Sequence, residues 1–313
     1  MARARHRRPQ DGWKLQLHPQ AVTSPLVALA ACRVVQDTAA LLLWGGGAYL
    51  AWLVPKDLGS AVADRLQVWA AAAAVAAVMA TAAELPVEAA SIGDGWRDAV
   101  NPAVIVGVLT DTSSGYAWSA QAAAAALLLV LLGMAPLRAK LTGTAITAAL
   151  MLAGLSLTGH AVMHEGWLGV ANRANDVLHV LASGAWFGAL VPVLTILPCL
   201  GRSESRAEAA IALRRFSRAG HIAVALVVAT GIAGTALILK QWPIDLSSPY
   251  QVLLDVKVLA VAMMTGLAVL NRYVFVPQLP TSLAKLRRAT LAEVPLGILA
   301  IALVAVFGLL DPS

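Results

Sequence analysis

The chain has 313 residues, 59% of them hydrophobic and only 13% charged, with a formal net charge of +6 and two cysteines. A soluble domain is typically about 45–50% apolar and about 25% charged, so the composition excludes a soluble enzyme, a disordered chain and a disulfide scaffold. The positive charge does not point to nucleic acid, because it sits in short runs between apolar segments, and Cys32 and Cys199 form no CxxC pair.

A bilayer core about 30 Å thick needs about 20 apolar residues per spanning helix. Eight segments reach that length: 26–54, 62–84, 115–135, 141–163, 174–199, 210–239, 249–275 and 289–310. All are rich in Ala, Leu and Val, and none alternates with period 2. Backbone groups in lipid must be satisfied internally, so the prediction is an all-α, polytopic membrane helix bundle with eight transmembrane helices. Residues 1–25 form a basic tail and 26–310 a transmembrane domain. The apolar stretch 99–109 is too short to span and reads as an interfacial or re-entrant piece. Gly45, Gly46 and Gly47 lack the strand–helix context of a phosphate loop and predict a kink or close helix packing.

Loop charge sets the orientation. The loops after spans 1, 3, 5 and 7 carry Lys56, Arg65, Arg138, Lys140, Arg202, Arg206, Arg214, Arg215, Arg218, Arg272, Lys285, Arg287 and Arg288. The loops after spans 2, 4 and 6 carry only Arg97, Arg173 and Lys240. The first set is expected in the cytoplasm, which puts both termini in the periplasm. The tail, with Arg3, Arg5, Arg7, Arg8 and Lys14, runs against that assignment. The opposite face holds Glu84, Glu88, Asp94, Asp98, Asp111, Glu165, Asp176 and Asp245, which is ordinary charge asymmetry or a surface that concentrates cations.

The side chains that carry chemistry cluster at the outer ends of spans 4 and 5. His160, Met163 and His164 share one face if the helix continues, and imidazole with thioether suits copper. Asp176 and His179 stand one turn apart at the start of span 5, where a carboxylate can orient or join a ligand. A short loop makes spans 4 and 5 antiparallel neighbours, so these histidines converge. His221 falls near mid-membrane in span 6 by residue count, where a relay ligand or a hydrogen bond to a facing helix would account for it. Met151, Met263 and Met264 read as packing. Arg33 and Asp37 are spaced to pair with each other, whereas Asp255 and Lys257 need partners on other helices. There is no nucleophile–base constellation, Walker A motif or dinucleotide fingerprint, so no enzyme and no nucleotide-driven pump is expected.

Two blocks of sequence carry a family resemblance. The first contains Leu157-Thr158-Gly159-His160-Ala161, Asp176-Val177-Leu178-His179 and Trp186-Phe187-Gly188-Ala189-Leu190. The second contains Arg215-Phe216-Ser217, Thr230-Gly231, Tyr250, Leu253, Leu254, Lys257 and Asn271-Arg272. In order and spacing they resemble the CopD (PcoD) family of copper-resistance membrane proteins, across about 26–310. The resemblance implies an eight-span bacterial inner-membrane protein with outward termini that handles copper beside a CopC-type periplasmic carrier. His160, His179 and Trp186 match the family pattern, and the basic tail departs from it.

The expected function is copper uptake from periplasm to cytoplasm. His160, Met163, His164 and His179 would be the outer metal ligands and His221 a relay, with Asp176, Trp186 and Lys257 in support. The alternatives are copper export, delivery to a periplasmic partner, and a membrane haem protein in electron transfer, which would need histidines at matched depth on facing helices.

Overall fold

The computed structural model describes residues 24–134, 137–158, 166–239, 245–279 and 281–310. These residues form α1 (Ser24–Ala48), α2 (Lys56–Ile92), α3 (Pro102–Asp111), α4 (Ser113–Met134), α5 (Leu137–Gly154), α6 (Gly166–Phe187), α7 (Leu190–Ile196), α8 (Arg206–Leu239), α9 (Pro249–Leu270) and α10 (Leu283–Phe307). Eight stretches are long and apolar enough to cross a membrane: Ser24–Leu53, Lys56–Ile92, Ser113–Gly133, Lys140–Leu157, Gly166–Gly201, Arg206–Leu239, Pro249–Gln278 and Leu283–Phe307. These are the eight expected spans, and the chain is a multi-pass membrane protein. The short apolar stretch folds as α3, with ten residues too short to cross.

Local chemistry sets several boundaries. Pro102 and Pro249 sit in the first turns of α3 and α9, where a missing N–H costs nothing. The Asn101 side chain accepts from the Ala103 N–H and the Ser248 side chain from the Gln251 N–H, each capping its helix. Before α9, Asp245 accepts from the Ser247 hydroxyl at 2.6 Å and its N–H at 2.9 Å, and these donors hold the carboxyl below the usual carboxylate range. Pro86 and Pro295 lie inside α2 and α10 and remove one ladder bond each. α1 and α9 each finish in one wide π turn, Tyr49–Leu53 and Asn271–Phe275.

Two groups of helices pack side by side. In the first, α1 lies against α2 and α5, and α4 lies against both of those. Alanines carry that contact: Ala74, Ala77, Ala124, Ala125 and Ala148 form one buried cluster with Leu128 and Met151. In the second, α6 packs on α8, and α9 on α10. The groups are joined at α1 and α6, where backbone meets backbone. A Cβ on Gly45 would overlap the Gly184 carbonyl oxygen and lie 2.9 Å from the Gly188 Cα. Only glycine fits there, so the triplet's expected role in close packing is what the structure contains. The Trp44 indole fastens the same contact by donating to the Leu181 carbonyl at 2.8 Å.

The basic loops meet at one end of the bundle. Arg215 donates to the Leu53 carbonyl at 3.3 Å, and Glu208 accepts from the Leu58 N–H at 3.1 Å. Arg272 donates to the Ser217 hydroxyl. The loops after spans 1, 5 and 7 therefore share one end, as alternation of the spans requires. The basic tail lies outside the described residues.

Candidate ligand cavity between the helix groups

A cavity of about 360 Å³ lies between the two groups, toward the end opposite the basic loops. Along α6 it runs from Asn172 to Trp186, a depth of about 21 Å at 1.5 Å per residue. One wall presents Arg33, Asp37, Glu84 and Glu88 from α1 and α2. The facing wall presents Asn172, Asn175, Asp176 and His179 from α6 and Lys257 from α9. Leu41, Trp186, Phe187 and Met264 line the deeper part.

The Arg33–Asp37 pairing expected from sequence is not formed. Arg33 instead reaches across to α2, 3.4 Å from Glu84 and 3.7 Å from Glu88. α1 and α2 are packed neighbours, and two carboxylates on the facing helix outcompete one on the same helix. Glu84 and Glu88, read from sequence as part of the outer acidic face, stand inside α2 on the cavity wall. Two carboxylates therefore share one guanidinium on this wall, with the Asp37 carboxyl unpaired by it.

The opposite wall is ordered around His179. Its Nδ1 lies 2.9 Å from the Thr230 hydroxyl. The single Thr230 hydroxyl proton goes to the Leu226 carbonyl at 2.5 Å. Thr230 must therefore accept, and Nδ1 must be the nitrogen that carries hydrogen. Nε2 is left with a free lone pair, the form in which imidazole binds a metal. Asn175 braces the same turn by donating to the Thr230 carbonyl at 3.0 Å. Asp176 and Lys257 interact electrostatically, and the Lys257 charge is also felt at His179. The Lys257 Nζ lies 5.6 Å from the centre of the Phe307 ring, a cation–π distance. Asp176 on α6 is thus the acid nearest in effect to Lys257, although the direct contact of its ammonium is the Phe307 ring.

The other expected site residues divide. His160, Met163 and His164 lie outside the described residues. Trp186 is buried at the deep end of the cavity and donates to Glu293 at 3.3 Å. His221 is exposed and does not line the cavity. Its Nδ1 is 2.6 Å from the Ser217 carbonyl and its Nε2 3.1 Å from the Tyr273 hydroxyl, which ties it to the π turn after α9. Met264 is buried on the cavity, whereas Met263, one residue away, is 52% exposed. Met151 packs in the alanine cluster. Among the described residues, no three His, Cys, Asp or Glu side chains group as a metal site.

Sequence reasoning missed Glu293. It is a lone acid in the last apolar span and is 2% exposed. It accepts from Asn271 at 2.8 Å as well as from Trp186. An acid isolated in an apolar span was the available signal.

Comparison with known proteins adds independent findings. Residues 22–170 match the family model described as Copper resistance protein D-like, N-terminal domain, and residues 210–307 match Copper resistance protein D. The inner membrane protein YebZ of Escherichia coli is 33% identical over 251 residues, covering 80% of this chain and 84% of that protein. Copper resistance protein D of Pseudomonas syringae pv. tomato is 30% identical over 243 residues, covering 73% and 78%. Copper transport protein CutJ of Bacillus subtilis is 28% identical over 166 residues, covering 50% of this chain and 30% of that protein. Among solved structures, a bd oxidase from Geobacillus thermodenitrificans shares the fold, with a TM-score of 0.55 at 11% identity over 92% of this chain and 87% of that one.

Proposed function

The chain belongs to the copper resistance protein D family of bacterial inner-membrane proteins, and from that premise we propose that it carries copper ions from the periplasm to the cytoplasm through the cavity. The observation that carries this reading is the fixed tautomer of His179. Thr230 accepts from Nδ1–H and leaves the Nε2 lone pair free on a cavity that is lined by carboxyl groups. His160, Met163 and His164 complete the ligand set. Thr158 lines the cavity, and His160 is two residues from it in sequence. Imidazole and thioether together take copper in either oxidation state.

The other groups have graded roles. Asp37, Glu84 and Glu88 draw cations into the cavity, with Arg33 holding the carboxylates in place. Asp176 offsets Lys257, which sets an upper limit on how tightly a cation is held, as permeation requires. A CopC-type periplasmic carrier presents the ion at the acidic end, and the basic loops lie in the cytoplasm. A relative named a copper transport protein and another named copper resistance protein D support copper as the cargo. His221 draws no support as a relay, since it is fastened to Tyr273 away from the cavity. The haem alternative takes two facing imidazoles, and the relatives named for copper favour the copper reading over it.

The test is cellular copper in cells expressing the wild type or His179→Ala at equal protein levels. Uptake predicts raised copper with the wild type and a loss of that excess with the variant. Equal accumulation by both would remove the ligand role, and a copper deficit with the wild type would reverse the direction.

A further inference from the structure

Glu293 sits where no charged partner reaches it. It lies on α10 four residues before Gly297, which lines the cavity, so it is one turn beyond the cavity's deep end. Among the described residues the ion pairs are those of Arg33 with Glu84 and Glu88, and Glu293 has none. The elements packed against α10 are α1, α6, α7, α9 and the π turn after α9. α6 offers the Trp186 indole and α7 has no ionisable side chain. α1 carries Arg33 and Asp37 on the cavity wall, and Arg33 is engaged by Glu84 and Glu88. On α9, Lys257 is turned to the Phe307 ring, fourteen residues from Glu293 along α10. On the π turn, Arg272 is turned to Ser217 and Asn271 to Glu293. On α10 itself, Arg287 and Arg288 are exposed at the basic end.

The hydrogen bonds around Glu293 have an unfilled place. Asn271 donates through Nδ2 to the carboxyl at 2.8 Å and toward the Thr290 hydroxyl at 3.4 Å, but its buried Oδ1 has no donor. A buried acceptor without a donor is costly. A carboxylate with two neutral donors and no cation, deep in a membrane, is costly as well. One proton on Glu293 removes the unpaired charge and adds a donor to a pocket in which the buried Asn271 Oδ1 has none. Trp186 touches the cavity on one side and Glu293 on the other, whereas Asn271 opens the turn that leads to the basic end.

We propose that Glu293 is a proton-exchange site linking the cavity to the basic end of the bundle, moving one proton toward the cavity for each copper cation that travels the other way. The inference rests on the copper-transport reading and adds to it the charge that must move the other way. In each cycle the Glu293 O–H bond breaks and the proton leaves through the cavity. The bond forms again with a proton arriving from the basic end past Asn271. Exchange of one Cu(I) for one proton leaves the membrane charge unchanged.

The experiment uses the full chain in liposomes, with Cu(I) from ascorbate-reduced copper chloride outside and a pH-sensitive dye inside. The wild type is expected to alkalinise the interior as copper enters. Glu293→Gln keeps the size and one acceptor oxygen for Trp186 or Asn271, places an NH2 donor where the other carboxyl oxygen stood, and carries no exchangeable acid. It is expected to bind copper as the wild type does and to lose copper-driven proton release at least tenfold. Glu293→Asp keeps the acid and retains part of the exchange, so a loss shared equally by Asp and Gln would mark a packing role and overturn the proposal. Infrared spectroscopy of copper-free protein provides a readout independent of transport. A carboxylic-acid C=O band present in the wild type and missing in Glu293→Gln is expected, and its absence from the wild type overturns the proposal. Copper uptake without proton movement sinks the exchange alone. A wild type that takes up no copper sinks the transport reading and the exchange with it.

Discussion

The contact between α1 and α6 makes a quantitative demand on Gly45. A Cβ there would lie 2.9 Å from the Gly188 Cα and overlap the Gly184 carbonyl. Carbon atoms rest about 3.5–4.0 Å apart, so Gly45→Ala must push the helices apart by roughly 1 Å. Neither neighbour is a side chain that can swing away. The separation also strains the Trp44 bond to the Leu181 carbonyl. Overpacking of this kind costs about 1–3 kcal/mol, and at roughly 2–4 °C per kcal/mol the melting point should fall by roughly 5 °C. Cys199, 3% exposed, gives the assay, since its thiol reacts with a fluorogenic maleimide only as the bundle opens. Gly266→Ala is the control: a Cβ there meets nothing within 4 Å, and alanine is the better helix former. Co-melting of Gly45→Ala with the wild type and Gly266→Ala would refute backbone contact as the join between the two groups.

Two further substitutions probe the cavity chemistry. Thr230→Val removes the acceptor that fixes Nδ1–H of His179, and loss of such a supporting contact costs roughly 10–100-fold in metal affinity; copper titration of the purified variant should show that drop with the fold intact. Lys257→Gln removes a like charge from the cavity, an effect on the order of 1 kcal/mol at the effective dielectric of protein sites, so copper binding should tighten several-fold and copper release should slow.

The spans were legible because hydropathy and length are properties of each segment alone. The eight stretches and the short α3 follow from that. Gly45 was legible as a packing position because a glycine triplet in a long apolar helix has few other uses. What depended on the choice of neighbouring helix was not legible. Arg33 has Asp37 one turn away, but the packing of α1 on α2 brings Glu84 and Glu88 within its reach. Rotation about the helix axis was also hidden. Met263 and Met264 differ by one residue, yet one is exposed and the other lines the cavity. His221 was assigned a depth by counting, which says nothing of the face it occupies; it lies on an exposed face beside Tyr273. Thr230, the residue that sets the His179 tautomer, stood out only as part of the family-like block, and at 51 residues from His179 nothing in the sequence tied the two together.

The distribution of charge between the two groups bears on how a cation would travel. Among the described residues, the ionisable side chains that the first group brings to the cavity are Arg33, Asp37, Glu84 and Glu88. The second contributes His179 on α6 and Lys257 on α9. α6 falls largely in the stretch between the two family segments, which end at residue 170 and begin again at residue 210. It is also the helix locked to α1 through Gly45, Gly184 and Gly188. Among the described residues, the acidic cluster around Arg33 and the His179 imidazole thus stand on different helix groups, which meet at the α1–α6 backbone contact and also where α1 packs on α10. A cation held by carboxylates alone is held mainly by charge, whereas transfer to Nε2 of His179 selects for a metal that prefers nitrogen. Under the copper reading, the acidic wall sets how fast cations arrive and the α6 wall sets which cation proceeds. Selectivity should then follow His179 and Thr230, and arrival rate should follow Glu84 and Glu88, so variants of the two walls should separate these properties in transport assays with competing zinc and copper.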